Sequence, residues 1–204
     1  MSWTALVPLK AAGQRKTRLA GSLDPQRRHA VSERMAGHVI GLLQNCDAID
    51  AVHVLAPCPW PGAGWLRDGG QGLNAELERA LALLGEGPVV ILHADLPLLH
   101  EDDLHALLDG ATRSGCALAP DAHEAGTNAV AMDRGIRIPL SFGPDSLPRH
   151  VGAARAIGVE PALVRSRGLS LDVDVAADLM AAEREGWTQG ASIKPTRNDP
   201  PVGA

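Results

Sequence analysis

Within the segment GPVVILHADLP, residues 87–97, an unbroken aliphatic run leads directly into a carboxylate. A strand that is apolar on both faces must be covered on both faces, which is the situation of central strands in helix-flanked parallel sheets. The rest of the chain keeps that rhythm. Trp3 to Leu9 reads as a strand stopping at a Gly- and Lys/Arg-bearing loop, Lys10 to Gly21. Asp24-Pro25 reads as N-cap plus first-turn proline, opening an amphipathic helix to about Asn45. Ala51 to Ala56 is the next strand, and a Pro/Gly/Trp loop spans Cys58 to Gly70. Leu73 to Leu84 has helical spacing and ends at Gly85. Further helices are predicted over Glu101 to Thr112, Gly143 to Ala156 and Ala176 to Glu185. Further strands are predicted at Cys116 to Ala119, Asn128 to Met132, Ala162 to Val164 and Leu169 to Val173. Alternation of this kind implies βαβ units and a mostly parallel central sheet flanked by helices, an α/β Rossmann-like fold.

The length of 204 residues suits one domain, predicted over residues 1–187, with a flexible tail over residues 188–204 that offers nothing for a core. Only 2% of the residues are aromatic, so Val, Leu, Ile and Ala must build the interior. A net charge of -5 lacks the basic surface that sequence-independent nucleic-acid binding needs. No apolar run approaches the length of a membrane span, so a soluble cytoplasmic protein with no nucleic-acid or membrane partner is expected. Cys46, Cys58 and Cys116 are widely spaced and form no CxxC pair, and the eight histidines show no HxxxH or HExxH spacing. A zinc cage or disulfide framework is therefore not indicated.

Five constellations can carry chemistry. The loop VPLKAAGQRKTRLAG places Lys10, Arg15, Lys16 and Arg18 after the first strand, where open α/β sheets bind ligands, and four cations there could clamp a triphosphate. It is not a Walker A loop, because GxxxxGK[ST] is absent. In DGGQGLN, residues 68–74, three glycines including Gly72 let backbone N–H groups approach a ligand, and Asn74 opens a helix. Asp95 of HADLP stands at the carboxyl edge of a central strand, a usual place to hold a divalent metal over a nucleotide. In LDVDV, residues 171–175, alternation puts Asp172 and Asp174 on one face, where they repel unless a cation lies between them. Either could be a metal ligand, and either could instead cap the final helix. Finally, GTNAV and FGPDSLPRH offer the Thr127 and Ser146 hydroxyls and the Gly143 N–H, with Arg149 and His150 as added positive charge.

In order, VPLK-x5-KTRLAG, DGGQGLNAEL, HADLPLL, PD-x4-GTNAV, FGPDSLPRH and GLSLDVDVAADL extend through most of the chain. This series resembles the CofC/FbiD family of 2-phospho-L-lactate or phosphoenolpyruvate guanylyltransferases. The resemblance implies a single-domain nucleotide-diphospho-sugar-transferase-like (GT-A-like) fold. It also implies transfer of GMP from GTP to a small phosphorylated acid (phosphoenolpyruvate, 2-phospho-L-lactate or 3-phospho-D-glycerate), with pyrophosphate released, in coenzyme F-420 biosynthesis. By the same resemblance Lys10, Lys16 and Arg18 bind the GTP phosphates, and Gly72 and Asn74 meet the nucleoside. Asp95 with one or both of Asp172 and Asp174 holds two Mg²⁺ ions, and Thr127, Gly143 and Ser146 bind the acceptor. The product would pass to the next enzyme of F-420 synthesis, and the sequence is equally compatible with a monomer or a homodimer. Two departures from the family pattern, AHEAGT after Asp121 and PDSLPRH, touch the acceptor pocket. The competing readings are another nucleotidyltransferase of this fold, of molybdopterin or sugar-phosphate type, and a non-catalytic nucleotide-binding module. The molybdopterin enzymes usually open with a Gly-rich LAGGxSxRMG-type loop, which VPLKAAGQRKTRLAG is not.

Overall fold

The structure is a computed structural model describing residues 2–10 and 17–188, apart from the side chains of residues 17 and 18. The expectations for Lys16 and for the tail beyond residue 188 thus lie outside the described residues. Among the described residues seven strands form one sheet in the order β3-β2-β1-β4-β6-β5-β7. They are β1 (Trp3–Pro8), β2 (Ile49–Ala56), β3 (Gly64–Arg67), β4 (Val89–Leu92), β5 (Cys116–Pro120), β6 (Thr127–Met132) and β7 (Ala162–Leu163). Every pairing is parallel except those of β6, which runs antiparallel to both β4 and β5. All four residues of β4 are buried, as its two apolar faces require.

Helices cover both faces. The helices α1 (Pro25–Asn45) and α3 (Glu101–Ser114) pack Val39, Ile40, Leu43, Leu104, Leu107 and Leu108 against one side of the sheet. On the other side, α2 (Leu73–Leu84) and α4 (Ser146–Ala156) contribute Leu77, Ala80, Leu81, Leu147 and Ala154. A smaller cluster, with Leu98, Leu171, Val173, Leu179 and Trp187, lies under α6 (Ala176–Arg184).

The helix α1 begins where the sequence places it, with Asp24 accepting from the Arg27 N–H and Pro25 in the first turn. Three elements differ from expectation. β3 lies inside the segment read as loop; it is a short, mostly exposed edge strand with no apolar run to announce it. α4 starts at Ser146 rather than Gly143, because Gly143 at φ 125° and Asp145 at φ 52° hold conformations a helix cannot contain. Leu169 to Val173 is not a strand. Ser166 accepts from the Leu169 N–H and caps the single-turn helix α5 (Arg167–Ser170), after which the chain runs extended without joining the sheet. The apolar alternation of LDVDV fits an extended segment, but among the described residues its backbone has no ladder partner.

Gly168 is the reason α5 can sit so close to its neighbours. A Cβ there would lie 2.6 Å from the Leu98 carbonyl oxygen and against the Asp103 carboxylate. Gly168→Ala is expected to cost about 1–3 kcal/mol in chemical denaturation, since backbone cannot yield as a flexible side chain can. An unchanged unfolding midpoint would show that α5 packs more loosely than this.

Candidate active site

The chain places β2 and β3 on one side of β1 and β4 on the other, so the strand order reverses between β1 and β4. A crevice opens beyond the carboxyl ends of strands at such a switch point. Lys10 follows β1 there and is exposed, and Asp95 lies in the loop that follows β4. The side chain of Arg18, in the 3-10 turn Thr17–Gly21, is not among those described.

One backbone bond assembles the acidic centre. The Val173 N–H donates to the Asp95 carbonyl at 3.1 Å, laying residues 171–175 beside the HADLP loop. Leu171 and Val173 turn into the small cluster under α6, so Asp172 and Asp174 face the other way. One carboxylate oxygen from each of Asp95, Asp172 and Asp174 lies within 4.8 Å of the others. Burial, and then the charges of Asp95 and Asp174, push the Asp172 carboxyl up to about 6. An all-carboxylate donor set this crowded fits a hard divalent cation such as Mg²⁺. Asp174 does not cap α6. Its N–H and that of Val175 both donate to Asp178, which closes the helix start from inside the first turn.

Asn128, unmarked in the sequence reading, braces this centre. Its amide donates to the carbonyls of Leu169 and Ser170 at 3.0 and 3.3 Å and reaches Asp172 Oδ1 at 3.4 Å. It occupies a bulge: Ala119 pairs with Ala129 while Pro120 pairs with Thr127, so β6 carries one extra residue at this point. A bulge breaks the two-residue alternation. Asn128 can therefore face the Leu169 side while its neighbour Thr127 turns toward α4, where its hydroxyl meets His150 Nδ1 at 3.0 Å.

The acceptor candidates Thr127, Gly143 and Ser146 are tied together through this corner. Leu147 N–H donates to the Ala125 carbonyl, joining the start of α4 to the segment before Thr127. That segment is shaped by Asp121, whose carboxylate accepts from the N–H groups of His123, Ala125 and Gly126. His150 is fully buried and does not supply the added positive charge expected of it. Burial, with Arg149 and His93 adding to it, lowers its pKa to about 4, so the ring is neutral at physiological pH. The spacing of Leu147, His150 and Ala154, all buried, was the available sign that His150 belongs to the inward stripe of α4.

At the start of α2, Gly72 is the N-cap residue with φ 95°, a conformation suited to glycine. The loop before it is held by buried Glu76, which accepts from the Gln71 N–H and from Arg79. Asn74, expected to meet the nucleoside, also has two backbone partners. Its side-chain oxygen accepts from the Phe142 N–H at 2.8 Å and its amide donates to the Phe142 carbonyl at 3.1 Å. The side chain assigned to the nucleoside thus clamps the FGPDS segment to α2. Cys46, Glu101 and His105 also converge, but His105 already lies 3.6 Å from Glu101 and 3.9 Å from Asp47. With the Cys46 thiol pushed up by burial, this group reads as a surface ion-pair cluster.

A family model described as "Guanylyl transferase CofC like" matches residues 3–186. The chain belongs to this family. Among relatives of the CofC-like chain is the phosphoenolpyruvate guanylyltransferase of Sphaerobacter thermophilus, 36% identical over 88% of this chain and 91% of that protein. The 2-phospho-L-lactate guanylyltransferase of Methanopyrus kandleri is 32% identical over 92% and 95%. Solved structures share the CofC-like fold at low identity. A nucleotide-diphospho-sugar transferase structure from Desulfovibrio desulfuricans superposes with a TM-score of 0.77 at 17% identity, covering 91% of this chain and 88% of the other. The 2-C-methyl-D-erythritol 4-phosphate cytidylyltransferase of Thermus thermophilus gives 0.53 at 19% identity over 91% and 98%.

Proposed function

We propose that this guanylyltransferase moves GMP from GTP to the phosphate of a small phosphorylated carboxylic acid in coenzyme F-420 synthesis. An acceptor phosphate oxygen bonds to the α-phosphorus of GTP, and the bond from that phosphorus to the bridging oxygen of the departing pyrophosphate breaks. The observation that carries this reading is the convergence of Asp95, Asp172 and Asp174 at the switch point, braced by Asn128 next to Thr127.

The acceptor phosphate is ionised at neutral pH and needs no general base. Its approach is opposed by repulsion of several kcal/mol per close charge pair at an effective dielectric of about 20. Asp95, Asp172 and Asp174 would hold two Mg²⁺ ions, which when bound neutralise phosphate oxygens and stabilise the leaving pyrophosphate. Lys10, with Lys16 and Arg18, would counter the remaining charge on the triphosphate. The open N–H groups at the Gly72 end of α2 would face the nucleotide, and Thr127, Gly143 and Ser146 would seat the acid.

Phosphoenolpyruvate is the first acceptor to try, because relatives of that name reach 36% identity against 32% for the 2-phospho-L-lactate enzyme reported above. Pyrophosphate release is expected from GTP, Mg²⁺ and one of phosphoenolpyruvate, 2-phospho-L-lactate or 3-phosphoglycerate. No release with any of them would overturn the acceptor class. In a thermal-shift experiment, GTP with Mg²⁺ should stabilise the protein by about 2.7 kcal/mol at a hundredfold excess over Kd, and GTP with EDTA much less. Equal shifts in both would favour a nucleotide-binding module without metal-dependent chemistry.

A further inference from the structure

The hydrogen bonds around His150 fix which of its ring nitrogens carries the proton. The Ser141 N–H donates to Nε2 at 2.9 Å, so Nε2 must present a lone pair. In a neutral imidazole the hydrogen then sits on Nδ1, and Nδ1–H donates to Thr127 Oγ1 at 3.0 Å. Thr127 is left with one role to fill. Its oxygen accepts from His150, and among the described residues its own hydrogen meets no acceptor.

The surroundings hold this arrangement rigidly. Phe142 contacts the His150 ring edge-on at 4.9 Å, and Asn74 grips the Phe142 backbone through both its N–H and its carbonyl. Arg149 donates to the Ser141 carbonyl at 2.9 Å, pinning the same peptide segment from its other side. Ser141, whose N–H sets the tautomer, therefore has little freedom to turn away.

We infer that His150 is a positioning residue that commits the Thr127 hydroxyl to donate into the acceptor pocket, selecting a group that can only accept: the carboxylate of the phosphorylated acid. The inference rests on the proposed acceptor site. A committed donor favours an anionic oxygen over a hydroxyl or amide, because only the former offers lone pairs in every orientation. The acceptor's phosphate must face the α-phosphorus near the aspartates, which leaves its carboxylate for Thr127.

The decisive comparison uses two amides that mimic different halves of the ring. In His150→Asn the amide can replace the Nδ1 donor to Thr127, whereas in His150→Gln it can replace only the Nε2 acceptor for Ser141. His150→Gln and Thr127→Val are each expected to raise the acceptor's KM by roughly tenfold, with KM for GTP within about twofold of the unaltered enzyme. His150→Asn should recover most of the loss seen in His150→Gln. The double variant His150→Gln/Thr127→Val should be no worse than Thr127→Val alone, since one residue acts through the other. Equal losses in His150→Asn and His150→Gln, or additive losses in the double variant, would refute the relay. So would a parallel rise in KM for GTP, which marks a merely structural role. Nitrogen NMR of the imidazole gives a readout independent of turnover: Nδ1–H is expected, and Nε2–H overturns the inference even if the enzyme transfers GMP as proposed. Absence of turnover in the unaltered enzyme, with Nδ1–H observed, would fault the acceptor reading instead.

Discussion

Asp95→Asn is expected to lower GMP transfer by roughly 10³-fold or more while the protein remains folded. The fold should survive because the link from this residue to residues 171–175 is made by its backbone carbonyl, which accepts from the Val173 N–H and is untouched by the change. What is lost is one of three carboxylates whose oxygens lie within 4.8 Å of one another, and with it the negative field that would hold the divalent ions. Steady-state assays and a melting curve on the same preparation separate the two effects. Turnover at the level of the unaltered enzyme from folded Asp95→Asn would remove Asp95 from the chemistry.

Asp172→Asn should likewise abolish turnover, yet make the metal-free protein more stable. The folded-state carboxyl of Asp172 titrates at about 6, above its ordinary value of 3.8, chiefly because it is buried and then because Asp95 and Asp174 face it. A raised carboxylate pKa means that ionisation opposes folding: the penalty is in force at pH 7, shrinks as pH falls through about 6, and is gone below the unfolded value. In EDTA at pH 7 the variant is therefore expected to melt about 2–5 °C above the unaltered protein. The gap should narrow as the buffer is taken down through pH 6 and close below pH 3.8, the ordinary value of the carboxyl. Asparagine keeps the oxygen that accepts from Asn128, so the comparison isolates the charge. A variant that melts lower than the parent at pH 7 would mean that the three carboxylates do not repel one another as their geometry implies. Adding Mg²⁺ should reverse the order, since only the parent retains the full site. Activity and metal-free stability thus pull in opposite directions at this residue, a trade common where a site is built from like charges.

The sequence alone determined the layered α/β architecture, because the aliphatic run at residues 89–92 has no stable home except a sheet covered on both faces. It also determined the limits of α1 and α2, through Asp24-Pro25 and Gly85, whose conformational preferences act locally. Asp95 and the LDVDV pair were legible for the same kind of reason: a carboxylate after a central strand and two more at a spacing of two announce themselves without knowledge of partners. The tertiary structure decided what depended on contacts between distant segments. The bulge at Asn128 turned Thr127 toward α4, Asn74 was drawn to the Phe142 backbone, and Gly168 let α5 replace the expected strand. His150 became a buried neutral ring instead of the added positive charge read from its context because packing took it out of water, and Ser141 and Thr127, nine and twenty-three residues away, then set which nitrogen donates. Propensity and periodicity are properties of neighbouring residues. Hydrogen-bond partners across loops are chosen by packing, and packing exists only once the chain has folded.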